Sequence, residues 1–164
     1  MGNDAAAQFA CDAMLGGLAR WLRAAGFDTS WQPDIDDWDL IRLARQEGRT
    51  LLTSDTGILK VGIVRDGEVP ALLIPHGLGK GQQLAFVLEK LRLPLREPRC
   101  MACGGRLIEV AKEAVRDRVP PRSLASCDRF YECDRCGKLF WTGSHWQRIA
   151  NVLRDVRSGW RGRS

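Results

Sequence analysis

The chain has 164 residues, with Lys+Arg 25 against Asp+Glu 20, a net charge of +5, six Cys and six Trp. That length holds one compact domain, or one domain with a small satellite, and 45% hydrophobic with 27% charged residues excludes a disordered or collagen-like chain. Short apolar runs such as Ala71-Leu72-Leu73-Ile74 exclude a membrane-spanning helix, and the first dozen residues lack the basic-then-apolar order of a secretory signal.

Gln8 to Cys11 reads as a short strand ending at Asp12. Met14, Leu18, Trp21, Leu22 and Ala25 then recur at helical spacing, with Gly26 as the stop. Phe27 to Trp31 is a second strand. Asp36 and Asp37 open a helix over Trp38–Glu47, whose inward residues are Leu40, Leu43 and Ala44 and which Gly48 closes. Arg49 to Ser54 is a strong strand ending at Asp55, and Pro70 to Ile74 is another. A glycine-rich loop, Pro75 to Gly81, leads into a helix over Gln82–Leu91, and Leu93 to Pro98 reads as a linker. Strands alternating with helices imply a mostly parallel sheet.

Functional groups in such a sheet gather beyond the carboxyl ends of the strands. Asp12 and Asp55 each directly follow a predicted strand and so share that edge, and Asp36 or Asp37 can add a third carboxylate there. Oxygen-only clusters suit Mg²⁺ or Mn²⁺, which bind phosphate oxygens at the same time. The plainer alternative makes Asp37 a helix N-cap and Asp12 and Asp55 turn residues.

The cysteines carry a sharper signal. Cys100-Met101-Ala102-Cys103 and Cys133-Asp134-Arg135-Cys136 are two C-x2-C knuckles separated by 29 residues, each followed by Gly. Four thiolates so arranged make a closed tetrahedral site for one structural Zn²⁺, and a zinc ribbon tolerates a long insert between its knuckles. The absence of an export pattern points to a reducing, cytoplasmic setting, where such pairs hold metal rather than form disulfides. Cys11 is expected to be a small buried residue; Cys127 has no evident role.

Charge divides at the same boundary. Residues 1–99 carry 12 Lys and Arg against 13 Asp and Glu, and residues 100–164 carry 13 against 7. Zinc thiolates would trim the second excess to about +4. Beyond the second knuckle, Ser144 with Gln147 resembles a capping box that opens a helix bearing Ile149, Val152, Leu153 and Val156. The same stretch carries His145, Trp146, Arg148, Arg154 and Arg157, with Arg161 and Arg163 beyond. Aromatic and cationic groups together suit single-stranded RNA, by stacking and phosphate contact, although Trp146 can equally pack the ribbon against the α/β unit.

Asp12-Ala13-Met14-Leu15-Gly16-Gly17-Leu18-Ala19-Arg20-Trp21-Leu22-Arg23 followed by Gly26-Phe27-Asp28 closely resembles the opening of the Mut-seven C-terminal RNase domain family. Asp36-Asp37, Arg49 to Asp55, Gln83-Leu84, both knuckles, Val119-Pro120 and Gly143-Ser144-His145-Trp146 extend the resemblance in order over residues 8–150. It implies a PIN-like three-layer α/β/α fold with a mostly parallel central sheet, spanning residues 8–95, and a small C-terminal zinc ribbon with a basic helix, residues 99–157. It also implies metal-dependent cleavage of RNA, with the acidic residues mapping to Asp12, Asp37 (or its neighbour Asp36) and Asp55. One or two Mg²⁺ or Mn²⁺ ions would be held there. Arg20 and Arg23, together with Ser144, His145, Trp146 and Arg148, are the expected RNA contacts, without sequence readout, the RNA being single-stranded or structured. Two alternatives stand beside this reading: an RNA-binding protein with a weak or dead site, and a toxin-like PIN nuclease held by an antitoxin.

Overall fold

The structure is a computed structural model and describes residues 7–159; Arg161 and Arg163 lie outside them. The chain runs β1 (Phe9–Cys11), a 3-10 turn (Ala13–Leu15), α1 (Gly16–Ala24), β2 (Thr29–Ser30), α2 (Asp37–Glu47) and β3 (Thr50–Thr53). A 3-10 turn (Ile58–Lys60), α3 (Gly62–Arg65), β4 (Ala71–Leu73) and α4 (Lys80–Lys90) complete the first sheet and its helices. The second half holds β5 (Leu107–Val110), a 3-10 turn (Lys112–Val115), α5 (Pro121–Ser126), β6 (Phe130–Cys133), β7 (Leu139–Trp141) and α6 (Ser144–Arg157).

The first four strands form one parallel sheet in the order β2-β1-β3-β4. Side chains alternate across it, as the pleat requires. Phe9, Cys11 and Leu52 face a core shared with Leu18 and Leu22 of α1 and Leu84 and Val87 of α4. Ala10 and Leu51 face the opposite core with Leu40, Ile41 and Ala44 of α2 and Ile58. The result is three layers, helix, sheet and helix. Because both sheet faces are covered, β1 reads as a continuous apolar run and β3 carries two adjacent leucines, rather than alternation.

Two local expectations change. Met14, assigned inward by helical spacing, is 75% exposed, because Ala13–Leu15 winds as a tighter 3-10 turn before α1 and shifts its phase. The second strand shrinks from Phe27–Trp31 to Thr29–Ser30. Phe27 instead packs edge-on against Phe9, with ring centroids 5.9 Å apart, and Trp31 turns its indole N–H to the Ala13 carbonyl.

β5, β6 and β7 form a separate antiparallel sheet. The insert between the knuckles builds a small core of its own from Val115, Val119, Cys127 and Phe130, which gives Cys127 its place. The stretch Leu93–Pro98 is pinned rather than free: the Arg96 N–H donates to Ala25 O, the Arg99 N–H to Arg23 O, and Leu93 and Leu95 pack on the first core. The apolar face of α6 turns away from the antiparallel sheet. Val152, Leu153 and Val156 join Leu84, Val87 and Leu88 of α4, so the last helix covers the α/β core.

The start of α6 also differs from the capping-box expectation. Its N-cap is Gly143, whose carbonyl accepts from the Gln147 N–H, and Ser144 is already the first helical residue. Gln147 spends its side chain on Asn151, one turn ahead, instead of reaching back.

Candidate functional site

β1 connects to β2 through α1 on one face of the sheet, and β2 returns past β1 to β3 through α2 on the other face. The strand order therefore reverses between β1 and β3, and the edge beyond their carboxyl ends is where open parallel sheets place ligands. Asp12 stands at the end of β1, and Asp55 two residues beyond β3.

Asp12 is buried and firmly held. Its Oδ1 accepts from the Ala13 N–H at 2.7 Å, and its Oδ2 accepts from the Thr53 hydroxyl at 2.8 Å. The Thr53 oxygen in turn accepts from the Asp55 N–H at 3.0 Å. Thr53 thus fixes one aspartate through its proton and the other through its lone pair. Sequence reasoning missed this role; the available signal was a hydroxyl at the last, fully buried position of a central strand. Asp55 is exposed, and its Oδ1 accepts from the Gly57 N–H at 2.7 Å.

The neighbouring pair divides its labour. Asp36 caps α2, its Oδ1 accepting from the Asp39 N–H at 2.9 Å. Asp37 occupies the first helical position, where partial burial, followed by the negative charges of Asp12, Asp55 and Asp36, raises its carboxyl above the ordinary range. Repulsion from three like charges adds to that burial and opposes ionisation of Asp37. Among the described residues no Lys, Arg or His forms an ion pair with Asp12, Asp36, Asp37 or Asp55. Uncompensated negative charge of this kind suits a cation. The oxygens are not drawn tight: the group of three or more metal-ligating side chains whose ligand atoms all lie within 4.8 Å of one another is the cysteine cluster, not the aspartates.

Cys100, Cys103, Cys133 and Cys136 converge from the two knuckles. Zn–S bonds of about 2.3 Å in a tetrahedron put the sulfurs about 3.8 Å apart. The Cys100–Cys136 and Cys103–Cys133 Sγ pairs stand at 3.7 and 3.4 Å, close to that edge and far beyond disulfide length. Gly104 and Gly137 have φ of 84° and 74°, the left-handed turns that let each knuckle close. A Cβ on Gly105 would stand 2.6 Å from the Cys133 sulfur. Burial opposes ionisation of Cys133, but the N–H groups of Cys136 and Arg135 and the neighbouring thiols outweigh it and bring this thiol down to about 7. Burial pushes Cys103 up to about 12, so in the absence of metal the protons are unequally shared. The four thiols fit one tetrahedral Zn²⁺. Cys11, by contrast, is an inert core thiol, pushed by burial to about 12.

The expected nucleic-acid contacts separate. Arg20, Ser144, His145 and Arg148 are exposed, while Trp146 is half-buried and stacks on Tyr131 with centroids 5.3 Å apart. Arg23 is buried, and its guanidinium donates to the carbonyls of Thr29, Met101 and Ala102. It therefore braces the first knuckle against α1 and β2 and is not offered to a phosphate. Its position one turn after buried Ala19 carried that signal. Asp28 assists: Arg49 reaches it from the α/β unit and Arg135 from the second knuckle, at 3.4 and 3.8 Å.

The Mut7-C RNAse domain model matches residues 7–153 of the chain. The chain belongs to the Mut7-C RNAse domain family. This Mut7-C chain is also 25% identical, over a 223-residue alignment, to the exonuclease mut-7 homolog of Homo sapiens. The match covers 89% of the chain and 25% of that relative, so the chain spans about a quarter of its length. No solved structure matches. Membership assigns the Mut7-C chain to a nuclease domain family whose substrates are nucleic acids, and among the described residues no helix is long and apolar enough to cross a membrane.

Proposed function

We propose that this protein is a metal-dependent ribonuclease that hydrolyses RNA phosphodiester bonds at the edge defined by Asp12, Asp37 and Asp55. The observation that supports the reading is the placement of Asp12 and Asp55 just beyond the neighbouring strands β1 and β3 at the strand-order reversal, where, after burial, their charges oppose ionisation of Asp37. These three would hold one or two Mg²⁺ or Mn²⁺ ions, with Asp36 acting as the cap that orients α2. When bound, such an ion lowers the pKa of an attacking water and neutralises charge on the phosphate and the leaving oxygen. Asp12, locked by Ala13 and Thr53, is the rigid ligand. Asp55 and Asp37 are exposed to solvent and would keep positions open for water and a phosphate.

The ribbon, stapled by one zinc, would hold RNA beside this edge through its basic surface, and binding would weaken steeply with salt. The test is incubation of wild type and Asp12→Asn with labelled single-stranded and structured RNA, in Mg²⁺, Mn²⁺ or chelator. Wild type is expected to cut only with the divalent ion, and Asp12→Asn to lose at least ~100-fold in rate, the scale of a lost electrostatic catalytic group. Cleavage that survives chelation, or that the variant retains, would sink the reading.

A further inference from the structure

Beyond the carboxylate edge, a cleft of about 670 Å³ opens between α1, the first knuckle, β7 and the start of α6. Its volume falls in the range of small-ligand sites. Four Arg or Lys side chains line it, and no Asp or Glu does, in a chain with 20 acidic residues. Two of those cations are engaged elsewhere: Arg23 holds three carbonyls, and Arg99 donates to Gly104 O at 2.8 Å. Arg20 and Lys138 are exposed, with no ion pair among the described residues. Beside a few polar groups, Ser123, Ser126, Ser144 and His145, the walls are mainly apolar and aromatic, including Trp31, Phe140, Trp141 and Trp146.

Cationic rims suit a polyanion, but they do not require four aromatic rings; flat apolar walls do match the faces of bases. In a duplex those faces are covered by their neighbours, whereas an unpaired strand offers them freely. Trp31 ties the cleft to the carboxylate edge. Its Nε1–H donates to Ala13 O at 3.0 Å, one residue from Asp12, and its ring lies so close to α1 that a Cβ on Gly16 would stand 2.7 Å from it.

We propose that this cleft is a nucleobase subsite: it takes unpaired bases of a single-stranded polynucleotide on its aromatic walls, sets the flanking phosphates on Arg20 and Lys138, and leads the adjoining linkage past Trp31 to Asp12. The last part rests on the nuclease reading; the base-binding part does not. The subsite makes unpaired nucleic acid the substrate class and excludes a blunt duplex.

The test uses the zinc-loaded full chain carrying Asp12→Asn, so that binding is read without cleavage. Fluorescence anisotropy compares three probes: labelled dodecauridylate, an abasic strand with the same number of phosphates, and a blunt 12-base-pair duplex. Dodecauridylate is expected to bind about tenfold tighter than either of the others, the scale of one or two stacked bases. Trp141→Ala and, separately, Phe140→Ala should shrink the base-against-abasic gap while keeping the salt dependence. Arg20→Glu with Lys138→Glu should weaken all three probes and flatten that dependence. Equal affinity for uridylate and abasic strand, a gap that both aromatic variants leave intact, or an equally tight Asp/Glu-rich dodecapeptide would overturn the subsite. Wild-type protein that binds dodecauridylate through the cleft yet leaves it uncut in Mn²⁺ would refute the nuclease reading and uphold the subsite. Metal-dependent cleavage with a KM untouched by the cleft variants would do the reverse.

Discussion

Around Cys100 and Cys136 the ligand atoms already stand within 4.8 Å of one another, whereas Asp12, Asp37 and Asp55 form no such group. The thiol centre is made by two tight turns, each setting two sulfurs by itself, so only one long-range closure is needed. The carboxylate edge draws one residue from each of β1, α2 and the loop after β3, and its spacing is set by the crossovers of a whole sheet. A structural centre gains by being closed and fully ligated, while a site for phosphate chemistry needs open positions for water and substrate. Tightness and openness are therefore the functional difference between the two regions.

The largest expected effect separates the two regions directly. Removing zinc, by chelation or Cys103→Ser, should unfold β5–β7, read as loss of amide exchange protection there, while β1, β3 and β4 keep theirs. Simultaneous loss in both sheets would show that they form one cooperative unit. Next comes the brace between the regions. Arg23→Met leaves the carbonyls of Thr29, Met101 and Ala102 without their donor and is expected to cost about 2–4 kcal/mol in denaturant melts. Arg20→Gln, on the exposed side of the same helix, should stay within about 0.5 kcal/mol. A smaller loss follows at the paired aspartates: Asp36→Ala removes the cap on Asp39 N–H and should cost about 1 kcal/mol of stability.

The smallest effect is electrostatic. Asp37 has a raised carboxyl pKa in the folded protein, through partial burial and then its three acidic neighbours. The folded state therefore holds this proton more tightly than the unfolded chain. The stability it lends is present below the ordinary carboxylate range and is lost as pH rises through the raised value. At neutral pH the ionised set opposes folding unless a cation is bound. Asp55→Asn keeps the oxygen that accepts from Gly57 but removes one charge. Its Asp37 carboxyl, followed by NMR titration, should ionise at lower pH than in wild type, and the metal-free variant should melt slightly higher at pH 7. An unchanged Asp37 titration would mean that the carboxylates do not share one space.

Much of the fold was legible because its signals are local. β1, β3 and β4 announced themselves as short apolar-centred runs, whereas β5, β6 and β7 did not, and Gly48 takes the left-handed cap that closes α2 as expected. The knuckles needed only their spacing. The failures occur where phase or packing overrides pattern, as at Met14, where a 3-10 turn rotates the periodic residue to solvent, and at Gly143, which replaced Ser144 as cap. Thr53 was invisible as a functional residue because nothing in a strand sequence says which hydroxyl ends beside which carboxylate.

The sequence by itself determined that strands lie before Asp12 and before Asp55 and that four cysteines belong together, since these depend on spacings of a few residues. Only the tertiary structure decided that Arg23 is a brace and Arg20 a free cation, that α6 belongs to the α/β core, and that Trp31 stands between the cleft and Asp12. The physical reason is distance along the chain: a carbonyl that claims Arg23 lies 78 residues away, on the first knuckle. Burial of a polar group depends on what packs over it, and that partner comes from elsewhere in the sequence.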